Sequence, residues 1–98
     1  MSKGSIVSVG NVATFAHVEP SKEQALKVLE EAAEVFGAWQ LWDECGDGES
    51  RKVAEVALLD ECADVVQATC NLVAAFGIVD FTSWMDACKR RNEERGRY

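Results

Sequence analysis

The sequence predicts an all-α fold, an antiparallel bundle of about three helices, and three observations support it. Apolar residues recur at helical spacing through two long stretches of the 98-residue chain. A turn-like segment, CGDGES at 45–50, separates these stretches, and a shorter amphipathic stretch follows Gly77. The chain is 48% hydrophobic and has a single proline, which is typical of a globular protein. Its length suits one domain with a modest core.

The first helix is predicted over residues 21–42. Ser21 is a good N-cap, and Gln24 three residues later suits a capping box. One side of this helix is apolar and carries Ala25, Leu26, Leu29, Ala32, Ala33, Phe36 and Gln40, extended by Val28, Val35 and Trp39. Glu30, Glu31 and Glu34 lie on the opposite side.

The second helix is predicted over residues 51–76, with Gly77 as its stop. Between 58 and 76 it is apolar on almost every face, which is usual for a buried helix. Its polar exceptions fall within roughly a third of the circumference; they are Asp60, Glu61, Asp64, Gln67 and Asn71. Because buried carboxylates are costly unless paired, protonated or bound to a cation, this stripe should face a cavity, a ligand or a strip of solvent.

The third helix is predicted over residues 81–94, capped by Asp80 or Thr82 and ended by Gly96. Residues 1–20 are predicted to form an extended arm with a short strand at 6–9, and residues 21–98 the helical domain. His17 is interpreted as a surface or interface residue. The second helix is more apolar than a three-helix monomer can bury, so the sequence predicts a homodimer whose core is completed across the interface.

The charge of the chain is unevenly distributed. The net charge is −7, but the last ten residues carry five of the ten basic side chains against Glu93 and Glu94, so the tail is +3 and the rest −10. An acidic body disfavours binding to a nucleic-acid polymer. Basic residues at a helix end also complement its dipole, which is an alternative explanation for part of the tail.

The cysteines and the apolar runs indicate a cytoplasmic protein. There is no CxxC motif and no Cys/His ligand spacing, so we expect reduced thiols at Cys45, Cys62, Cys70 and Cys88. The N-terminus does not resemble a signal peptide. The longest uncharged run, 65–79, has 15 residues and is too short and too polar to cross a bilayer.

Two carboxylate pairs share one geometry. Glu31 and Glu34 on the first helix, and Glu61 and Asp64 on the second, are each three residues apart, about 5–6 Å at Cβ. On facing helices they would place four carboxylates around one small volume, which suits Mg²⁺ or Mn²⁺ and could hold two ions. The alternatives stay open: the first pair with Glu30 could be a solvated face, and the second pair could be a solvated stripe.

The acidic motifs also resemble a known family. EEAAE at 30–34 followed by ECAD at 61–64 is similar to the EExxE…ExxD signature of the MazG-like, all-α nucleoside triphosphate pyrophosphohydrolases. The tail KRRNEERGRY at 89–98 resembles the endings of small single-domain members, which are often phage-associated. The similarity covers about residues 21–98, and the first twenty residues match nothing in that pattern.

This resemblance implies hydrolysis of a nucleoside triphosphate between the α and β phosphates, giving the monophosphate and pyrophosphate. It implies that Glu31, Glu34, Glu61 and Asp64 are Mg²⁺ ligands, with Mn²⁺ as a possible substitute. Glu30 would be an outer-shell acid or the group that orients the attacking water. The protein itself need only position water and neutralise charge on the phosphate oxygens.

Further residues are candidates for substrate binding. The resemblance implies that Lys89, Asn92 and Arg95 reach phosphate or sugar. Trp39 and Trp42 could stack on a base, although packing in the core or in a dimer interface is an alternative for both. Lys89 could instead pair with neighbouring acids on its own helix, at little energetic consequence.

Two other functions remain in view. One is phosphoribosyl-ATP pyrophosphohydrolase, a related helical enzyme with similar acids. The other is a non-enzymatic helical dimerisation or regulatory module whose acids face solvent. The MazG-like interpretation predicts a dimer or a dimer of dimers.

Overall fold

The computed structural model describes residues 4–98, and this part of the chain is all-α, as the sequence predicted. The helices are α1 (Lys22–Glu44), α2 (Glu49–Ala75) and α3 (Thr82–Glu94). No strand occurs between residues 4 and 98, so the short strand predicted at 6–9 is wrong. An isolated extended segment needs a neighbouring strand to pair its backbone, and none is present among the described residues.

Three of the predicted helix ends are confirmed by their hydrogen bonds. The Ser21 hydroxyl accepts the N–H of Gln24 at 3.2 Å, which makes Ser21 the N-cap of α1. After α2, Gly77 adopts a φ of 78° and donates its N–H to Ala74. Gly96 adopts a φ of 69° after α3. These left-handed conformations favour glycine, which explains why the helices stop there.

The start of α3 differs from the prediction. The N-cap position is occupied by Phe81, which makes no side-chain cap, so the assignment of Asp80 or Thr82 to that position is wrong. The Asp80 carboxylate instead accepts both the backbone N–H of Thr82, at 3.0 Å, and its hydroxyl, at 2.7 Å. The backbone hydrogen bond, followed by the hydroxyl one, holds the pKa of Asp80 below its ordinary value.

Helices α1 and α2 form an antiparallel hairpin. Near the connecting loop Trp42 meets Arg51, and farther along Glu31 meets Glu61, so the paired residues run in opposite directions. The Arg51 guanidinium lies 4.0 Å from the centroid of the Trp42 ring and donates to the Cys45 carbonyl at 3.3 Å. Arg51 therefore ties the two helices together at the closed end of the hairpin.

The side of α1 that packs on α2 is not its main apolar stripe. The half-buried positions along α1 include Val28, Glu31 and Val35, whereas Leu29 and Phe36 are 65% and 59% exposed. A shallow groove between the two helices is lined by Ala32, Val35, Cys62 and Val65, and exposed apolar residues lie one turn away from it on each helix. We call this surface the apolar face; it comprises Leu29, Ala32, Phe36, Leu59 and Cys62.

A single chain leaves much of its surface uncovered. In the described part of the structure α3 does not pack on α1 or α2, and Ala68 and Asn71 alone are buried. The chain exposes 7807 Å², whereas a compact monomer of the same mass exposes about 5,500 Å². Its radius of gyration is 16.1 Å, against about 13 Å for a compact domain of this length. The fold is therefore open, with apolar surface that a compact monomer would cover.

The described part of the N-terminal arm, residues 4–20, forms neither helix nor strand but is attached to α2. The Gln67 side-chain amide donates to the Ala13 carbonyl and to the Asn71 side-chain oxygen, each at 3.0 Å. The same Asn71 oxygen accepts the N–H of Phe15 at 3.1 Å. Two residues of the polar stripe of α2 thus bind the arm, a use that the sequence pattern did not indicate.

The structure also bears on the predictions of reduced cysteines and of no helix that crosses a membrane. All four cysteines are free. None of the helices between residues 4 and 98 combines the length and apolar character that a bilayer crossing requires.

Candidate metal centre

Carboxylates from both helices of the hairpin meet where α1 crosses the middle of α2. Glu31, Glu34 and Glu61 each bring one oxygen to within 4.8 Å of the others. Glu31 and Glu61 are half-buried and Glu34 is exposed. Three of the four predicted metal ligands therefore share one small volume, which we call the carboxylate cluster.

Two oxygens of this cluster have no hydrogen-bond partner. Glu31 Oε2 and Glu61 Oε2 are both buried, and neither accepts a hydrogen bond. An unsatisfied buried polar atom costs about 1–3 kcal/mol, and more when it carries charge. A bound cation would remove that cost, because it supplies positive charge and accepts both oxygens as ligands.

Lys27 compensates part of the negative charge. Its Nζ lies 3.4 Å from Glu31 Oε1 and 3.6 Å from Glu30 Oε2. The hydrogen bond to Glu31, then the charges of Glu31 and Glu30, raise the pKa of Lys27 above its ordinary value. Lys27 thus engages the outer oxygen of Glu31 and leaves Oε2 to the cluster. Sequence reasoning missed Lys27, although its position three and four residues before these acids was a signal.

The other acids of the predicted site lie outside the cluster. Glu30 is 62% exposed at its side chain and contacts Lys27. Asp64 is exposed and does not belong to the group of three. The alternative that the α1 acids form a solvated face therefore describes Glu30 and Glu34, but not Glu31, whose side chain is 13% exposed.

The two tryptophans have different surroundings. Trp42 is half-buried, and the Arg51 guanidinium covers one face of its ring. Trp39 is 42% exposed and stacks on Phe36, with ring centroids 6.0 Å apart. Packing accounts for Trp42, while Trp39 retains an accessible aromatic surface.

The predicted phosphate-binding residues are not brought to the carboxylates of the same chain. Lys89, Asn92 and Arg95 lie on α3 and at its C-cap, and α3 does not pack on the hairpin in the described range. Asn92 accepts a hydrogen bond from Arg97 at 3.0 Å and donates to the Cys88 sulfur at 3.6 Å. Within one chain the Asn92 side chain is therefore engaged locally.

The chemistry of the donor set fits a hard divalent cation. All three groups of the carboxylate cluster offer oxygen, and two of the three residues, Glu31 and Glu61, also have a buried oxygen without a partner. Mg²⁺ is bound by one or a few carboxylates and keeps several waters, which the exposed side at Glu34 would admit. Mn²⁺ accepts the same ligands.

Comparison of the chain with protein-family models, curated proteins and solved structures finds no match. The likeness to the MazG-like enzymes therefore rests on the acidic motifs and the basic tail alone.

Proposed function

We propose that this chain is a Mg²⁺-dependent nucleotide pyrophosphohydrolase of the MazG-like class, which hydrolyses a ribo- or deoxyribonucleoside triphosphate to the monophosphate and pyrophosphate. The observation that carries the proposal is the pair of buried, partnerless oxygens of Glu31 and Glu61 within the carboxylate cluster. A solvated acidic surface would have no reason to bury them.

Each acidic residue has a role in this proposal. Glu31, Glu34 and Glu61 would hold the metal, and Asp64, one turn along α2, would join them by turning its side chain inward. The metal would neutralise charge on the phosphate oxygens and lower the pKa of a bound water. Glu30 stands outside these ligands, where it can accept a proton or orient a water. Lys27 fixes the Glu31 carboxylate through its outer oxygen.

The proposal includes a homodimer, either alone or as half of a tetramer. The apolar face of one hairpin would pack on a second copy and so complete a helical bundle. Helix α3 does not pack on its own hairpin. The cationic residues Lys89 and Arg95 could therefore approach the carboxylate cluster of the other copy. The positive tail and the negative body are complementary in charge.

The test is pyrophosphate release from a panel of ribo- and deoxyribonucleoside triphosphates in millimolar Mg²⁺. Glu61→Gln should lower the turnover by about a hundredfold or more, because it removes a ligand whose charge the metal requires. Asp60→Asn is the matched control: it makes the same change one residue away, at an exposed carboxylate outside the cluster, and should stay near wild type. Absence of pyrophosphate from every nucleotide would contradict the proposal.

Two other activities are distinguished by the same samples. Phosphoribosyl-ATP hydrolysis in place of nucleoside triphosphate hydrolysis would identify the related enzyme class. A second candidate function, a non-enzymatic helical dimerisation module, is favoured by the exposed apolar face. It predicts a stable dimer with no hydrolysis and no Mg²⁺ binding tighter than millimolar.

A further inference from the structure

The arm is held on α2 by a contact that recognises its backbone. Gln67 binds the carbonyl of residue 13, and Asn71 binds the N–H of residue 15. Both arm groups lie on the same edge of the extended chain, because residues two apart share an edge. Asn71 is itself 3% exposed, and Gln67 donates to it, so the two amides together form an anchor for the arm. The anchor fixes where the arm leaves the hairpin.

Beyond the anchor, the arm presents apolar side chains that nothing covers. Ile6, Val7 and Val9 are 93%, 83% and 66% exposed. Gly10, with a φ of 73°, turns the chain between these residues and the anchor, which a residue with a side chain would do only with strain. An open cavity of about 430 Å³ lies between Val9 and Val12 of the arm and Ala63 and Val66 of α2, and neither Ile6 nor Val7 lines it. The exposed segment, residues 6–9, therefore lacks a partner within its own copy.

The arm leaves α2 next to one edge of the apolar face. Gln67 is five residues from Cys62, which corresponds to roughly 140° around a helix. The arm leaves from the Gln67 side, whereas Cys62 belongs to the apolar face. Leu59, also in the apolar face, is eight residues from Gln67, or roughly 80° around the helix, so the two apolar surfaces are neighbours on α2. Such a chain offers two different surfaces that a second copy can cover reciprocally.

We propose that residues 6–9 of the arm pack on a second copy of this chain, so that two copies embrace each other through their arms. The inference rests on the homodimer of the proposed function and specifies what holds it together. The surface of 7807 Å² exceeds that of a compact monomer by about 2,300 Å², well above the about 800 Å² per partner that a stable complex buries. The helices and the arm together can supply that area.

The lack of charge on the arm is consistent with its packing on a second copy of the chain. Between Gly4 and Val18 the sequence contains no acidic or basic residue apart from His17. The body of the chain is strongly acidic, so the body of a second copy would repel an acidic arm but not a neutral one. An uncharged, apolar and pre-anchored segment is suited to pack on another copy.

The test is sedimentation equilibrium of the full chain beside the triple variant Ile6→Ser, Val7→Ser, Val9→Ser. The variant should weaken self-association about tenfold or more, because it removes apolar contacts from the interface. Val53→Ser and Val79→Ser are controls at exposed valines of α2 and of the α2–α3 loop, outside the arm and the apolar face, and should leave the dissociation constant unchanged. Hydrogen exchange of the wild type should show protection of residues 6–9 that rises with protein concentration.

The outcomes separate the two proposals. A wild-type dimer weakened by the arm variant but not by the controls supports the arm exchange. A wild-type dimer unchanged by the arm variant, or weakened equally by the controls, overturns it and leaves the homodimer intact. A wild-type monomer overturns the arm exchange and the homodimer, and pyrophosphate release by that monomer would still support the catalytic assignment.

Discussion

Glu61 and Asn71 lie on the same helix and both bury polar atoms, but their surroundings differ. The side-chain oxygen of Asn71 accepts two hydrogen bonds, one from the arm backbone and one from Gln67. The buried oxygen of Glu61 accepts none, and neither does a buried oxygen of Glu31 in the same cluster. Asn71 is satisfied by the protein alone, whereas Glu61 is not.

The difference separates a structural polar residue from a candidate ligand. Natural proteins satisfy nearly all buried polar groups, so an exception calls for an ion, a water or a function. The polar stripe of α2 contains one residue of each kind. Helical periodicity groups them together, but their hydrogen bonds distinguish them.

The largest effect on stability is expected from Asn71→Ala. The substitution leaves the Phe15 N–H and the Gln67 amide without their shared acceptor and should lower the free energy of unfolding by about 1–3 kcal/mol. Urea denaturation followed by circular dichroism measures the change. Thr69→Ala is the control, because the Thr69 hydroxyl donates only to the Val65 carbonyl within α2. An equal loss of stability in Thr69→Ala would show that the contact between Asn71 and the arm contributes nothing special.

A smaller stabilisation is expected from Mg²⁺. Free Mg²⁺ at ten times its dissociation constant should add about 1.4 kcal/mol to the stability, seen as a rise in Tm that a chelator reverses. Glu61→Gln should abolish this rise and, without metal, should melt at or above the wild-type temperature because it removes a buried uncompensated charge. Asp60→Asn should keep the full rise. A Mg²⁺ response that survives Glu61→Gln would place the ion elsewhere.

Lys27→Met tests how far the cluster depends on its own cation. Lys27 is exposed, so we expect a small loss of stability without metal. The pKa of Lys27 is raised in the fold, so its contribution is complete below the ordinary value of 10.5 and disappears as the pH rises through the folded value. The difference in Tm between wild type and variant should therefore be constant from neutral pH to about pH 10 and shrink above it. A difference that vanished at neutral pH would show that Lys27 does not compensate Glu31.

The smallest effect is expected at the start of α3. Asp80→Ala removes the acceptor of the Thr82 N–H and should slightly lower the Tm and the helix content, whereas Asp80→Asn keeps an acceptor and should lose less. The folded pKa of Asp80 is lowered, so its contribution is present above the ordinary value and is lost as the pH falls through the folded value. Melting curves at falling pH should therefore converge for wild type and Asp80→Ala.

Local signals in the sequence predicted the helices, since Ser21, Gly77 and Gly96 mark ends through hydrogen bonds to nearby residues. The meeting of Glu31 with Glu61 also followed from spacing, because the short loop makes the two helices antiparallel neighbours. The position of Leu29 and Phe36 did not follow, because a hydrophobic stripe shows which side is apolar but not what covers it. The binding of the arm by Gln67 and Asn71 could not be predicted from helical periodicity, because these hydrogen bonds join residues more than fifty positions apart in the sequence.

That long separation has a consequence for the order of folding. The hairpin closes through a four-residue loop between Glu44 and Glu49, so its contacts can form progressively from Arg51 outward. Contacts between residues close in sequence form early because they close short loops. The arm must then attach last, after α2 has brought Gln67 and Asn71 into place. Substitutions at Asn71 should consequently speed unfolding and leave the folding rate nearly unchanged, while substitutions at Trp42 or Arg51 should slow folding.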